Sequence, residues 1–143
     1  IKPCVIAEEL LDAGTQPCGS SSLVDYKIWC LNGKPHHVWC CYNRKQYYAN
    51  VGVYDMNWQY HPEASVFTKH YKESRQTLPK PICFDKMMEI ARKLSAEFPI
   101  LRVDLYEVKG HVYFGELTFT SQSGCMDYYS KQFLTDAGKL VKL

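Results

Sequence analysis

The sequence predicts an α+β domain: a mostly antiparallel sheet with a helix packed on one of its faces. Three observations predict it. Asn32-Gly33 separates two runs rich in aromatic and β-branched residues, and Asn-Gly is the strongest short hairpin signal because both turn positions need positive φ. A second pair of such runs, Ile100 to Glu107 and His111 to Thr120, flanks Lys109-Gly110. Ahead of that pair, Phe84, Met87, Met88, Ala91, Leu94 and Phe98 recur at helical spacing and make one apolar stripe. A length of 143 residues allows one ordinary domain or one lobe of a larger one.

The elements follow in chain order. Val5-Ile6-Ala7 with Glu8-Glu9-Leu10-Leu11 reads as a short, mostly apolar strand. Asp12 to Ser22 holds Gly14, Pro17, Gly19 and three serines, which is a loop. Val24 to Leu31 is the first hairpin strand and Lys34 to Tyr42 the second; Gln46 to Tyr54 reads as a further strand. Asp55 to Pro81 carries His61-Pro62, Pro79 and Pro81 without a clear period, so it is expected to be a long loop with one helical turn. The helix runs from Phe84 to Phe98, with Asp85 in its first turn to suit the dipole and Pro99 to end it.

In the second hairpin the register decides the chemistry. A two-residue Lys109-Gly110 turn would put Asp104 and Glu116 on opposite faces of the sheet. A three-residue loop, Val108-Lys109-Gly110 with Gly110 left-handed, sets Arg102 directly opposite Glu116, with Asp104 diagonal to it on the same side. The second register separates polar from apolar side chains: Leu101, Val103, Leu105, Leu117 and Phe119 collect on the side that faces the helix. It is the register expected here.

Composition narrows the function. Seventeen Lys+Arg against fifteen Asp+Glu leave a formal charge of +2, which gives no general attraction to nucleic acid or to an anionic membrane. No apolar run reaches the roughly 18 residues of a membrane span. The seven cysteines include no CxxC pair and match no zinc spacing, so they read as reduced thiols. Neighbours on a strand point to opposite faces, so neither Cys40-Cys41 nor His36-His37 can chelate one ion, and the histidine pair reads as strand surface.

One sheet face is then expected to hold Arg102, Asp104, Glu116 and Thr118. Two carboxylates within about 8 Å on adjacent strands repel unless a cation lies between them. Oxygen ligands alone favour a hard ion such as Mg²⁺, and Arg102 would offset charge or grip a phosphate in a forked geometry. The same residues also describe an exposed salt-bridge network. Lys27, inside a strand, either snorkels to solvent or enters a polar cleft. Arg44 follows the first hairpin, and Ser121-Gln122-Ser123-Gly124 is either a turn or a set of N–H groups open to an anion.

These motifs carry a resemblance. Arg102-Val103-Asp104-Leu105-Tyr106 followed by Tyr113-Phe114-Gly115-Glu116-Leu117-Thr118-Phe119 resembles the C-terminal part of ATP-grasp enzymes, and most of all the TupA-like branch associated with teichuronopeptide and surface-polysaccharide synthesis. Asp25-Tyr26-Lys27 and Asn32-Gly33-Lys34 support it. The likeness spans Ile6 to Leu143. It implies that Asp104 and Glu116 bind Mg²⁺ bridging the phosphates of ATP, with Thr118 where the family has Asn, and a hydroxyl is a weaker ligand than an amide carbonyl. It implies that Glu8, Glu9, Leu10 and Leu11 form the adenine-contacting hinge, that Asp12 touches ribose, and that Lys27, Arg44 and Arg102 approach phosphate or substrate. The family clasps ATP between two α+β lobes behind an N-terminal substrate domain, so partner lobes are expected ahead of Ile1, which is itself not a methionine. The implied protein is a cytoplasmic bacterial enzyme that joins a carboxylate to an amine through an acyl phosphate and is inactive as this lobe alone. A nucleotide-sugar glycosyltransferase is the alternative, although the sequence holds no Asp-x-Asp triplet, and a non-catalytic binding module is the third reading. Either way a nucleotide and an unidentified acceptor are the implied partners.

Overall fold

Asn32 and Gly33 take φ of 50° and 74° and fold β1 (Asp25–Leu31) back onto β2 (Lys34–Tyr42) as an antiparallel hairpin. A computed structural model describes residues 3–73 and 76–142 of the chain. Gly33 is required twice over, since a Cβ there would also lie 3.1 Å from the Ala96 carbonyl oxygen. β3 (Ala49–Tyr54) continues the meander and β4 (Tyr71–Glu73) adds a short parallel edge. β5 (Ile100–Val108) and β6 (His111–Thr118) extend the other side. The result is one six-stranded sheet in the order β4-β3-β2-β1-β5-β6. The α+β class and the mostly antiparallel sheet are as predicted.

The helix α1 (Phe84–Ser95) buries Phe84, Met87, Met88 and Ala91 on the first sheet face, against Tyr26, Ile28, Cys30, Val38, Cys40, Leu101, Val103 and Leu105. It ends at Ser95, short of the expected Phe98; Pro99 disfavours a helical conformation at Phe98, and its carbonyl accepts from the Asn32 N–H.

The opposite face is also covered. Trp29, Trp39, Cys41, Val51 and Val53 form a second core under Ala64, Tyr128 and Tyr129. Cys40 and Cys41 thus serve opposite cores, as their adjacency requires. His37 belongs to this second core and is only 5% exposed. That corrects the reading of His36-His37 as strand surface. The reason is an extra residue: Cys30 pairs Pro35 and Trp29 pairs His37, so His36 is a β-bulge that turns His37 inward. The second helix, α2 (Lys131–Lys139), begins at Ser130, whose hydroxyl accepts from the Phe133 N–H.

Two further expectations change. Residues 3–14 form no strand. They have no neighbouring strand to hydrogen-bond, and Val5 and Leu10 stay in solvent. The expected strand from Gln46 begins only at Ala49, and the long segment after it holds both a 3₁₀ turn, Pro62–Ala64, and β4. Among the described residues no helix is long and apolar enough to cross a membrane, and the seven cysteines form no disulfide.

Candidate active site: a charged row across three strands

The β5–β6 hairpin turns in two residues, not three. Lys109 and Gly110 have φ of 51° and 75°, and Val108 pairs His111 directly. By itself that turn would separate Asp104 from Glu116. A bulge reunites them: Leu105 pairs Phe114 while Asp104 pairs Glu116, so Gly115 is the extra residue. Glu116 therefore faces Asp104 rather than Arg102, and Arg102 faces Thr118. Only glycine fits the bulge, since a Cβ would stand 2.9 Å from the Tyr106 ring and 3.0 Å from the Asp104 carbonyl oxygen.

Strand pairing then lines up two rows on the second face, Lys27–Asp104–Glu116 and Trp29–Arg102–Thr118. Arg102 ties them together. Its Nε donates to Asp104 Oδ1 at 2.7 Å and its Nη2 to Asp104 Oδ2 at 2.8 Å, a bidentate grip. The same Nη2 reaches Glu116 Oε1 at 2.7 Å, and Nη1 donates to Ser121 Oγ at 2.9 Å. Ser121 in turn shares a hydrogen bond with the Tyr128 hydroxyl. The turn Ser121–Gly124, left-handed at Gln122 and Ser123, thus brings a hydroxyl to the guanidinium.

Lys27 closes the other end. Its ammonium bonds to Asp104 Oδ2 and sits 2.7 Å from Asp25 Oδ2. Burial works to lower the lysine's pKa, but Asp25 and Asp104 outweigh it and raise it, so the ammonium stays charged. Burial likewise opposes the charge on Arg102, and Asp104 more than restores it. Asp25 is pushed up by burial against the pull of Lys27. Its Oδ1 is buried and has no hydrogen-bond partner among the described residues. Arg44 stands further out, 3.6 Å from Asp25 Oδ2, and donates to Cys41 Sγ.

The fold thus gathers Lys27, Arg102, Asp104, Glu116 and Thr118, with Arg44 at the margin. It does not bring Glu8, Glu9, Leu10 or Leu11 to the row; Glu8 to Leu10 are exposed and none of the four lies in a regular element. Asp12 pairs with Lys109 Nζ at the hairpin tip, roughly 16 Å along the strand from Asp104 at about 3.3 Å per residue. Asp25 and Tyr128 were missed, and Ser121 was expected only as part of a turn with N–H groups open to an anion, not as a hydroxyl on Arg102. The alternation of a strand puts Asp25 beside Lys27, and that signal was available; nothing in the sequence ties Ser121 or Tyr128 to Arg102.

The chemistry suits a hard cation. The acidic donors are all oxygens, Glu116 keeps 61% of its side chain exposed, and Asp25 Oδ1 lacks a partner. Among the described residues no three acidic, His or Cys side chains form a ready-made metal site. An ion here would take two carboxylates and complete its shell with water or phosphate oxygens, which is the coordination Mg²⁺ accepts. The row runs from the central strands β1 and β5 to the outer strand β6 with its charges already paired, and the Arg-x-Asp and Gly-Glu-x-Thr motifs lie within it.

Over residues 1–142 the sequence matches the family described as TupA-like ATPgrasp. The chain belongs to the TupA-like ATP-grasp family. ATP-grasp proteins generally bind ATP and Mg²⁺ and act as ligase-like enzymes. Comparison with curated proteins and with solved structures found no match. In this TupA-like chain Arg102, Asp104, Glu116 and Thr118 share the charged face.

Proposed function

We propose that this TupA-like chain is the metal- and phosphate-bearing lobe of an ATP-dependent ligase that joins a carboxylate to an amine in cell-surface polymer synthesis. The reading rests on one observation, the direct pairing of Asp104 with Glu116 under the Arg102 guanidinium. Asp104 and Glu116 would hold Mg²⁺, with the Thr118 hydroxyl beside them. When bound, the ion neutralises charge on the transferring phosphoryl group. Arg102 is held by Ser121, Asp104 and Glu116, a preset position from which its charge would stabilise a nearby phosphoryl group. The acceptor carboxylate takes the phosphoryl group from ATP, ADP leaves, and the amine displaces phosphate from the acyl phosphate. Glu8 to Leu11 and Asp12 serve adenine and ribose only if that segment folds against a second lobe, which also supplies cations to the phosphates. Cytoplasmic, bacterial residence follows from the same reading.

Titration calorimetry of the protein with ATP–Mg²⁺ and with a uridine-diphosphate sugar tests this. ATP binds, and Asp104→Asn and Glu116→Gln each weaken it by about ten-fold or more. Binding of the nucleotide sugar in place of ATP would assign a glycosyltransferase instead, and binding of neither would leave a module without nucleotide chemistry.

A further inference from the structure

We infer that Lys27 is a resident cation on the ion-facing oxygen of Asp104, and that Asp25 is the positioning residue that receives it when a metal ion arrives. This rests on Asp104 and Glu116 being the carboxylates that hold the ion.

The charges alternate along the row: Asp25, Lys27, Asp104, Arg102, Glu116. Three carboxylates face two close cations, and Arg44 at 3.6 Å makes a third. Asp104 is 1% exposed with both oxygens engaged. No ion reaches it until one resident cation withdraws.

Which one withdraws follows from how each is held. Arg102 is fixed by four hydrogen bonds in a planar fork, to Asp104, Glu116 and Ser121. Lys27 is a point charge on a flexible stem with two partners. Lys27 is the one free to move. Its destination is already beside it, because Asp25 Oδ2 lies 2.7 Å from the ammonium. Asp25 Oδ1, buried and unpartnered, is a second acceptor in reserve. Buried carboxylate oxygens are seldom left unpaired, and this one gains a partner only in the shifted state.

The balance of charge adds a consequence. A divalent ion entering an already neutral row brings surplus positive charge, and the phosphates of a nucleotide supply the matching anion. The ion alone therefore binds weakly, and with nucleotide it binds well.

Mn²⁺, a hard ion with the same ligand preference, provides the probe, its binding followed by electron paramagnetic resonance with and without ADP. Lys27→Met frees one of the two positions on Asp104 Oδ2, the other being held by Arg102 Nη2, and Mn²⁺ alone binds about ten-fold tighter than to the unsubstituted protein. The double variant Lys27→Met/Asp25→Asn keeps the net charge of the row and removes the buried lone partner, and it also binds Mn²⁺ more tightly. Asp25→Asn alone leaves Lys27 with only Asp104 as a close charged partner, and weakens Mn²⁺ several-fold. Circular dichroism reports whether each variant folds, and the double variant decides should Lys27→Met not. No tightening in the double variant overturns the proposal, and an Asp25→Asn affinity equal to that of the unsubstituted protein overturns the role of Asp25. Glu116→Gln separates the two levels of the argument. If it binds Mn²⁺–ADP as well as the unsubstituted protein, the ion assignment itself fails; if it loses Mn²⁺–ADP while the lysine variants do not tighten, only the role of Lys27 fails.

Discussion

The two hairpins are built to one plan and put it to different uses. Each turns through two left-handed residues, Asn32-Gly33 or Lys109-Gly110, and each carries one extra residue in its second strand, His36 or Gly115. In the first the bulge delivers His37 to an apolar, aromatic core. In the second it delivers Glu116 to the charged row. The same local device therefore decides what faces the second side of the sheet, and the identity of the next residue decides whether that place is packing or chemistry. The bulged residues differ for a steric reason. Gly115 is crowded by the Tyr106 ring and the Asp104 carbonyl, whereas His36 has room for a ring that leans on His37 and Phe133.

The largest expected effect breaks the second bulge. Gly115→Ala places a methyl group into the Tyr106 and Asp104 contacts and destabilises the protein by about 1–3 kcal/mol in urea unfolding. Adding Tyr106→Leu restores part of the loss, because the backbone contact to Asp104 remains. A cost below about 0.5 kcal/mol would mean that Gly115 is not a sterically required bulge.

A second experiment probes what the first bulge delivers. His37 bonds to the Tyr129 hydroxyl and to His36, and burial, then His36, holds its pKa well below 6.5. The unfolded chain binds that proton more readily, so the stability from a neutral His37 is complete above pH 6.5 and is lost as pH falls. The loss approaches about 1.4 kcal/mol per pH unit for one group. Burial shifts His36 in the same direction. His61, raised by its bond to Glu63, works in the opposite sense, but it is more than a third exposed and contributes less. His37→Phe flattens the fall between pH 7.5 and 5.5; an unchanged slope would place its source elsewhere.

The smallest effect comes from the other bulged residue. His36→Ala removes a ring and a hydrogen bond but leaves the backbone free to bulge, so it costs about 0.5–1.5 kcal/mol. The Trp29–His37 pairing persists, which backbone amide exchange in β1 and β2 can check. The contrast with Gly115→Ala is that one bulge depends on a missing side chain and the other does not.

The pattern of what could be read from sequence follows the range of the forces. Asn32-Gly33 and the Phe84 stripe are local signals, and both elements formed where those signals stand. Arg102, Asp104, Glu116 and Thr118 were correctly placed on one face, but by the wrong route. A three-residue loop was expected, and the molecule uses a tighter turn with Gly115 as the correction. Bulges depend on cross-strand crowding, which strand periodicity does not encode. The second core was hidden because Tyr128 and Tyr129 reach Trp39 and Trp29 from a distant part of the chain. The segment of residues 3–14 shows the converse error, since apolar residues in sequence form no strand without a neighbour to pair with.

Asp104 and Glu116 share a row but not a footing. β5 has a neighbour on both sides, whereas β6 is the outer strand, bonded only to β5. Among the described residues Glu116 therefore rides on a strand paired along one edge, and Asp104 on one paired along both. Local opening costs least at such an edge. In deuterium, β6 amides exchange ahead of those of β5, so of the two carboxylates Glu116 has the looser backbone.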